Sequence, residues 1–223
     1  MRPKHLKRIK TANGMDRRTA IKNLAKGLGV AAATPTIMHI LVSCQDKTET
    51  WEPLFLSAEE KHIVTHLSNL FIPKTDTLGA LDVNVPQFLD MMYHDIELKQ
   101  NQDIFKKGAT YFSHVFTKTF NKPVASGTKE DFNHLLDIYF NRSETDKQTI
   151  IKRQNQKLNH IPKDELEPFH VYKFLFSVRY YAIFGYCTSE EVGETILAYD
   201  PVPGNYLGCI PLEEATQGKT WSL

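Results

Sequence analysis

The residues best suited to chemistry by type and spacing stand near the N-terminus, and their chemistry is addressing and anchoring. Leu41-Val42-Ser43-Cys44 places small residues ahead of a thiol. This is the pattern of a lipobox, where lipid is attached to the cysteine and the chain is cut in front of it. Cys44 would then become the mature N-terminus. Each buried acyl CH₂ contributes about 0.8 kcal/mol, so more than one chain gives stable anchoring. Upstream, Arg17, Arg18 and Lys22 lie in DRRTAIK, which looks like a twin-arginine address for proteins exported already folded. Asp16, Ala20 and Ile21 depart from the S/T-R-R-x-F-L-K pattern, so general secretion as a lipoprotein stays open as the route. The apolar stretch 27–42 carries Pro35 and His39 and falls short of the roughly 20 residues a membrane span needs. Met15 is a second candidate start, with residues 1–14 otherwise an extended basic head. The competing reading is an ordinary N-terminal helix with Cys44 as a free thiol.

Elsewhere the side chains that could do chemistry are sparse. His62 and His66 sit one helical turn apart in EKHIVTH, a spacing able to hold zinc if a third ligand joins them. His94, His114, His134 and His170 fall on other predicted helices, and the favoured reading of the pair is histidines bordering the apolar stripe of Ile63 and Leu67. Asp76, Asp82 and Asp90 match no calcium-loop spacing and read as caps and turn residues. Cys187 and Cys209 would meet an oxidising compartment after export, which allows either a disulfide or two separate buried thiols. The sequence has no GxGxxG after a strand, no phosphate-cradling glycine loop with Lys-Ser/Thr, no CxxCH and no GxSxG. No residue is therefore assigned as catalytic, cofactor-binding or metal-ligating.

Charge separates the head from the body. Residues 1–43 hold nine of the 27 Lys and Arg but one of the 26 Asp and Glu, leaving 18 basic against 25 acidic groups in the rest. An acidic body has no electrostatic reason to bind nucleic acid, because that affinity comes from neutralising phosphates.

The elements that must position these residues are helical. Residues 44–57 read as a polar tether following a leader over 1–43, and a single domain follows from 58 to 223. Ser57 with Glu60 forms a capping box for a helix over 58–71, whose Ile63, Leu67, Leu70 and Phe71 keep helical spacing; Pro73 ends it. Pro86 opens a second helix with Phe88, Leu89, Met92 and Ile96 on its apolar face. A third covers about 101–121, and a fourth follows Thr128 and Asp131 with Phe132, Leu135, Leu136 and Tyr139 inward. The polar stretch 143–158 predicts a surface helix, and 167–184 the central one. No alternating β-branched run appears, so the fold class is mostly α, an irregular helical bundle. From about 188 a short helix capped by Ser189 gives way to a Pro- and Gly-rich extended segment. Its Tyr199, Tyr206, Leu207, Ile210 and Trp221 predict that it lies along a surface, its own or a partner's.

Two stretches carry a resemblance: FIPKTDTLGALDVNVPQFLD (71–90) and GYCTSEEVGETILAYDPVPGNYLGCIPLEEATQGKTWS (185–222). They resemble the gluconate 2-dehydrogenase subunit 3 family, across most of the chain from Leu56 onward. Pro73, Asp76, Gly79, Asp82 and Pro86 fall in the first stretch. Gly193, Asp200, Pro201, Pro203, Gly204, Tyr206, Gly208, Cys209 and Pro211 fall in the second. The resemblance implies a small, non-catalytic helical subunit beside a large FAD-dependent flavoprotein of the glucose–methanol–choline type, with a cytochrome carrying haem c as a third member. It implies work in the export and stability of the large subunit, which oxidises a sugar or sugar acid. Asp200, Pro203, Tyr206, Cys209 and Trp221 are the expected partner contacts. Together with the lipobox, this places the chain on the periplasmic side of a bacterial membrane, held by lipid. The alternative is a stand-alone envelope lipoprotein that binds a small ligand or another envelope protein.

Overall fold

The computed structural model describes residues 51–202, 204 and 209–222. The chain divides into two units, 1–51 and 52–223. All the helices of the described residues lie in the second; Cys44, Arg17, Arg18 and Lys22 lie outside the described residues.

Eight α-helices and no strand occur among the described residues: α1 (Ala58–Phe71), α2 (Val85–Met91), α3 (Lys99–Phe120), α4 (Lys129–Phe140), α5 (Glu144–Gln154), α6 (Leu166–Cys187), α7 (Glu190–Thr195) and α8 (Leu212–Thr216). The mostly α reading holds. Helix α6 is apolar around most of its circumference and packs on most sides, with Arg179, Tyr180 and Ile183 left exposed. It buries Phe169, Val171, Phe174, Leu175, Val178 and Ala182.

Helix α3 crosses α6 at close range. A Cβ built on Gly108 would lie 2.6 Å from Phe174 Cβ and 2.8 Å from the His170 carbonyl oxygen, so glycine is what lets the two backbones meet. Around that contact stand the largest buried rings. Phe174 meets Phe105 at 4.9 Å and Phe112 at 5.5 Å between centroids, and Phe132 of α4 closes on Phe116 at 5.1 Å.

Local signals set most helix starts. Ser57 and Glu60 form the capping box expected of them, as do Thr128 and Asp131. Ser143 caps α5 by accepting from the Asp146 amide at 3.2 Å. Ser189 is different: its hydroxyl donates to the Tyr186 carbonyl at 2.8 Å, so it ties α7 back to α6 instead of capping α7. Pro86 sits in the first turn of α2 as predicted.

Two expectations fail for identifiable reasons. Ile96 was placed on the buried face of the second helix, yet it is 67% exposed. A π-helical turn over Met92–Ile96 follows α2 and shifts the register, turning Tyr93 inward and Ile96 outward. The tether was expected to run to residue 57, but its last residues are fixed to the body. The Asp90 carboxylate, itself 2% exposed, accepts the amides of Leu54 (2.7 Å), Phe55 (3.0 Å) and Leu56 (2.8 Å). Lys106 reinforces the clamp, donating to the Phe55 carbonyl at 2.7 Å while lying 4.1 Å from the centre of the Phe55 ring.

Among the described residues, no helix is long and apolar enough to cross a membrane.

Candidate docking surface built from two distant segments

The segment after α1 folds into a compact hydrogen-bonded loop. Asp82 organises it: one carboxylate oxygen accepts the Gly79 amide at 2.8 Å, the other accepts from Lys74 Nζ at 2.8 Å. The Lys74 bond, then the Gly79 amide, hold the Asp82 carboxyl below the usual carboxylate range. Gly79 leaves no room for a side chain, since a Cβ there would lie 2.5 Å from the Lys74 amide nitrogen. The loop closes with the Ala80 amide on the Ile72 carbonyl (2.9 Å) and the Val85 amide on the Ala80 carbonyl (3.0 Å).

This loop turns Ala80, Val83 and Val85 inward, where they form one apolar cluster with Ala182 and Val192. Tyr186, Ile196 and Leu197 pack on its edge. The Tyr186 hydroxyl donates to the Leu78 carbonyl at 2.7 Å, across 108 residues of chain. Described residues of the two stretches singled out in the sequence, 71–90 and 185–222, therefore pack together into one cluster, the docking end.

The C-terminal segment folds back on its own beginning. Ala198 donates to the Thr220 carbonyl and Ser222 donates to the Ala198 carbonyl, both at 2.8 Å, forming a single parallel bridge between Ala198 and Trp221. Helix α8 ends at Gln217 and Gly218, both in the left-handed region (φ 54° and 78°), which reverses the chain toward that bridge. Lys219 Nζ reaches the Thr195 carbonyl at 3.1 Å.

Of the expected partner contacts, Asp200 is exposed and accepts the Val202 amide at 3.1 Å, a local turn bond. Cys209 is exposed with a free thiol, and Cys187 is half-buried and also free, so the two form no disulfide. Trp221 has its backbone in the bridge and half of its surface exposed. Pro203 and Tyr206 lie outside the described residues. Tyr199 and Trp221 line one open cleft of about 370 Å³ together with Glu194, Asp200 and Glu214. The sequence reading did not assign Leu81, Val202 or Leu212 to this face, yet all three are exposed on the same two segments. Their signal was present: each is a large apolar residue in a loop or at a helix start, flanked by polar or turn residues. The cleft itself sets the Tyr199 and Trp221 rings among the carboxylates of Glu194, Asp200 and Glu214 and the Lys219 ammonium.

The histidine pair stands elsewhere. His62 and His66 meet edge to face at 4.5 Å, and the His66 ring stacks on Phe132 at 4.8 Å. Burial, then the neighbouring His62, push the His66 pKa below its ordinary value. Among the described residues no three His, Cys, Asp or Glu side chains are grouped to hold a metal ion, and the pair packs as aromatic rings.

Residues 58–204 match the family model described as gluconate 2-dehydrogenase subunit 3. The chain belongs to this family. The match begins at the first residue of α1 and takes in the whole Asp82 loop, α6 and α7. It stops at Gly204, so α8 and the Trp221 side of the bridge lie past its end. Comparison with curated proteins and with solved structures found no match.

Proposed function

We propose that this chain is the non-catalytic small subunit of a periplasmic dehydrogenase complex. Its large partner is an FAD-dependent flavoprotein of the glucose–methanol–choline type acting on a sugar or sugar acid, with a haem c cytochrome as a further electron-accepting member. The chain supports the partner's stability, escorts it through export, and ties it to the membrane through lipid on Cys44. Membership of a dehydrogenase-subunit family supports the partnership. The observation that carries the docking role is the joining of 71–90 and 185–222 into one end, with Tyr199, Val202, Leu212 and Trp221 left facing solvent. Of these, Tyr199 and Trp221 share one cleft, and exposed large apolar side chains held together favour an interface.

Affinity purification of the tagged chain from its own cells tests the reading. A yellow complex with a flavin spectrum and a larger second polypeptide is the expected result; a colourless single chain sinks it. Deleting the chain should strand the flavoprotein in the cytoplasm. Replacing Cys44 by Ala should move the complex from the membrane to the soluble fraction.

A further inference from the structure

A second cleft opens between α4, α5 and α6, and Phe71 at the end of α1 is the one lining residue it shares with the 71–90 stretch. Its volume is about 480 Å³, within the range of small-molecule sites. Its walls are aromatic and continuous: Phe71 meets Phe140 at 6.1 Å, Phe140 meets Phe176 at 6.0 Å, and Phe176 meets Tyr172 at 5.8 Å. The phenols bring no charge. The Tyr172 hydroxyl is satisfied by the Tyr139 carbonyl at 2.9 Å, and burial pushes Tyr139 up to about 12 and raises Tyr172.

Charge appears at the rim. Arg179 and Lys147 line the cleft as exposed cations, and neither forms an ion pair with a described residue. Asp137 is the one carboxylate in the lining, so the lining is net positive. This runs against the rest of the body, where acidic groups outnumber basic ones 25 to 18 after residue 43. An aromatic trough with unpaired cations at its mouth complements an apolar body that ends in an anion. Arg179 supplies a planar fork matched to a carboxylate.

We propose that this cleft binds a free amphipathic carboxylate, its apolar chain lying along Phe140, Phe176 and Tyr172 and its carboxylate meeting Arg179 and Lys147. The proposal is independent of the dehydrogenase partnership. Calorimetric titration of the purified chain with decanoate, decanol and decyltrimethylammonium, each below its micelle concentration, tests it. Decanoate should bind one-to-one and at least about fivefold more tightly than the other two, the scale of an exposed ion pair. Arg179→Gln combined with Lys147→Gln should remove that preference and leave decanol unchanged. Ile151→Glu, at a half-exposed position on the lining, should abolish decanoate binding while thermal unfolding stays unaltered. Equal binding of the three probes overturns the proposal. So does decanoate binding indifferent to the double charge variant, or uptake confined to vesicles of anionic phospholipid.

Discussion

Phe88 occupies the space that any side chain at residue 185 would need: a Cβ built on Gly185 would lie 2.5 Å from Phe88 Cδ1 and 3.0 Å from Cε1. The ring also packs beside Tyr181 at 6.5 Å and Phe184 at 5.8 Å between centroids, so a shift would disturb both contacts. This contact sets α2 against the end of α6 and is one of those that join the two segments.

Gly185→Ala should therefore destabilise the protein despite alanine's better helix propensity. The gain in a helix is at most about 1 kcal/mol, whereas overpacking costs about 1–3 kcal/mol. A net loss of up to about 3 kcal/mol in urea unfolding is expected. Adding Phe88→Leu should recover most of it. If the single variant is more stable than the parent, the close contact has been misjudged.

Asp90→Asn should loosen the segment before α1. The carboxylate holds three amides at once, and a carboxamide offers one acceptor oxygen in place of two. A cost of about 1–3 kcal/mol follows from leaving buried donors under-satisfied. Hydrogen exchange at Leu54, Phe55 and Leu56 should quicken by at least about tenfold, with the core of α6 much less affected. Unchanged protection there would refute the clamp.

Stability should fall as pH drops below about 6.5. Burial pushes the pKa of His66 down, helped by His62, and pushes that of His170 down, helped by Lys107. Both folded values therefore lie below the unfolded value of 6.5. Above that pH both states are neutral and stability is flat. Below it the unfolded chain takes up protons first, so stability declines until the folded pKa values are passed. Asp131, held at about 2 by Lys122 and the Thr128 amide, acts only in a more acidic range. Urea midpoints between pH 5 and 8 should show this decline in the parent and a shallower one in His66→Gln with His170→Gln.

Trp221→Ala and Tyr199→Ala should each weaken capture of the flavoprotein by about tenfold or more if the docking end is the interface, since buried aromatic anchors dominate such contacts. Circular dichroism should be unchanged, because both side chains face solvent. Leu98→Ala, a 72% exposed residue outside both segments, serves as the control that should not weaken capture. Equal effects from all three would argue against this face.

Local rules were legible in the sequence wherever a few neighbouring residues settle the outcome. The capping boxes at Ser57 and Thr128, Pro86 in the first turn of α2 and the apolar spacing along α1 and α4 all follow from bonds spanning three or four residues. The family resemblance on 71–90 and most of 185–222 was likewise carried by linear motifs, and the matched model covers it to residue 204. Tertiary structure alone decided the rest, because each remaining feature pairs residues far apart in the chain. The Asp90 carboxylate could not be recognised as a clamp until it faced amides 34 to 36 positions away. The π-helical turn that exposes Ile96 reflects how Tyr93 packs against Phe55 and Phe105, which no helical period encodes. The union of the two family segments depends on Tyr186 reaching Leu78 and on Phe88 filling the place beside Gly185. Sequence supplied the pieces of the docking end; packing of the Asp82 loop onto α6 and α7 made them one surface.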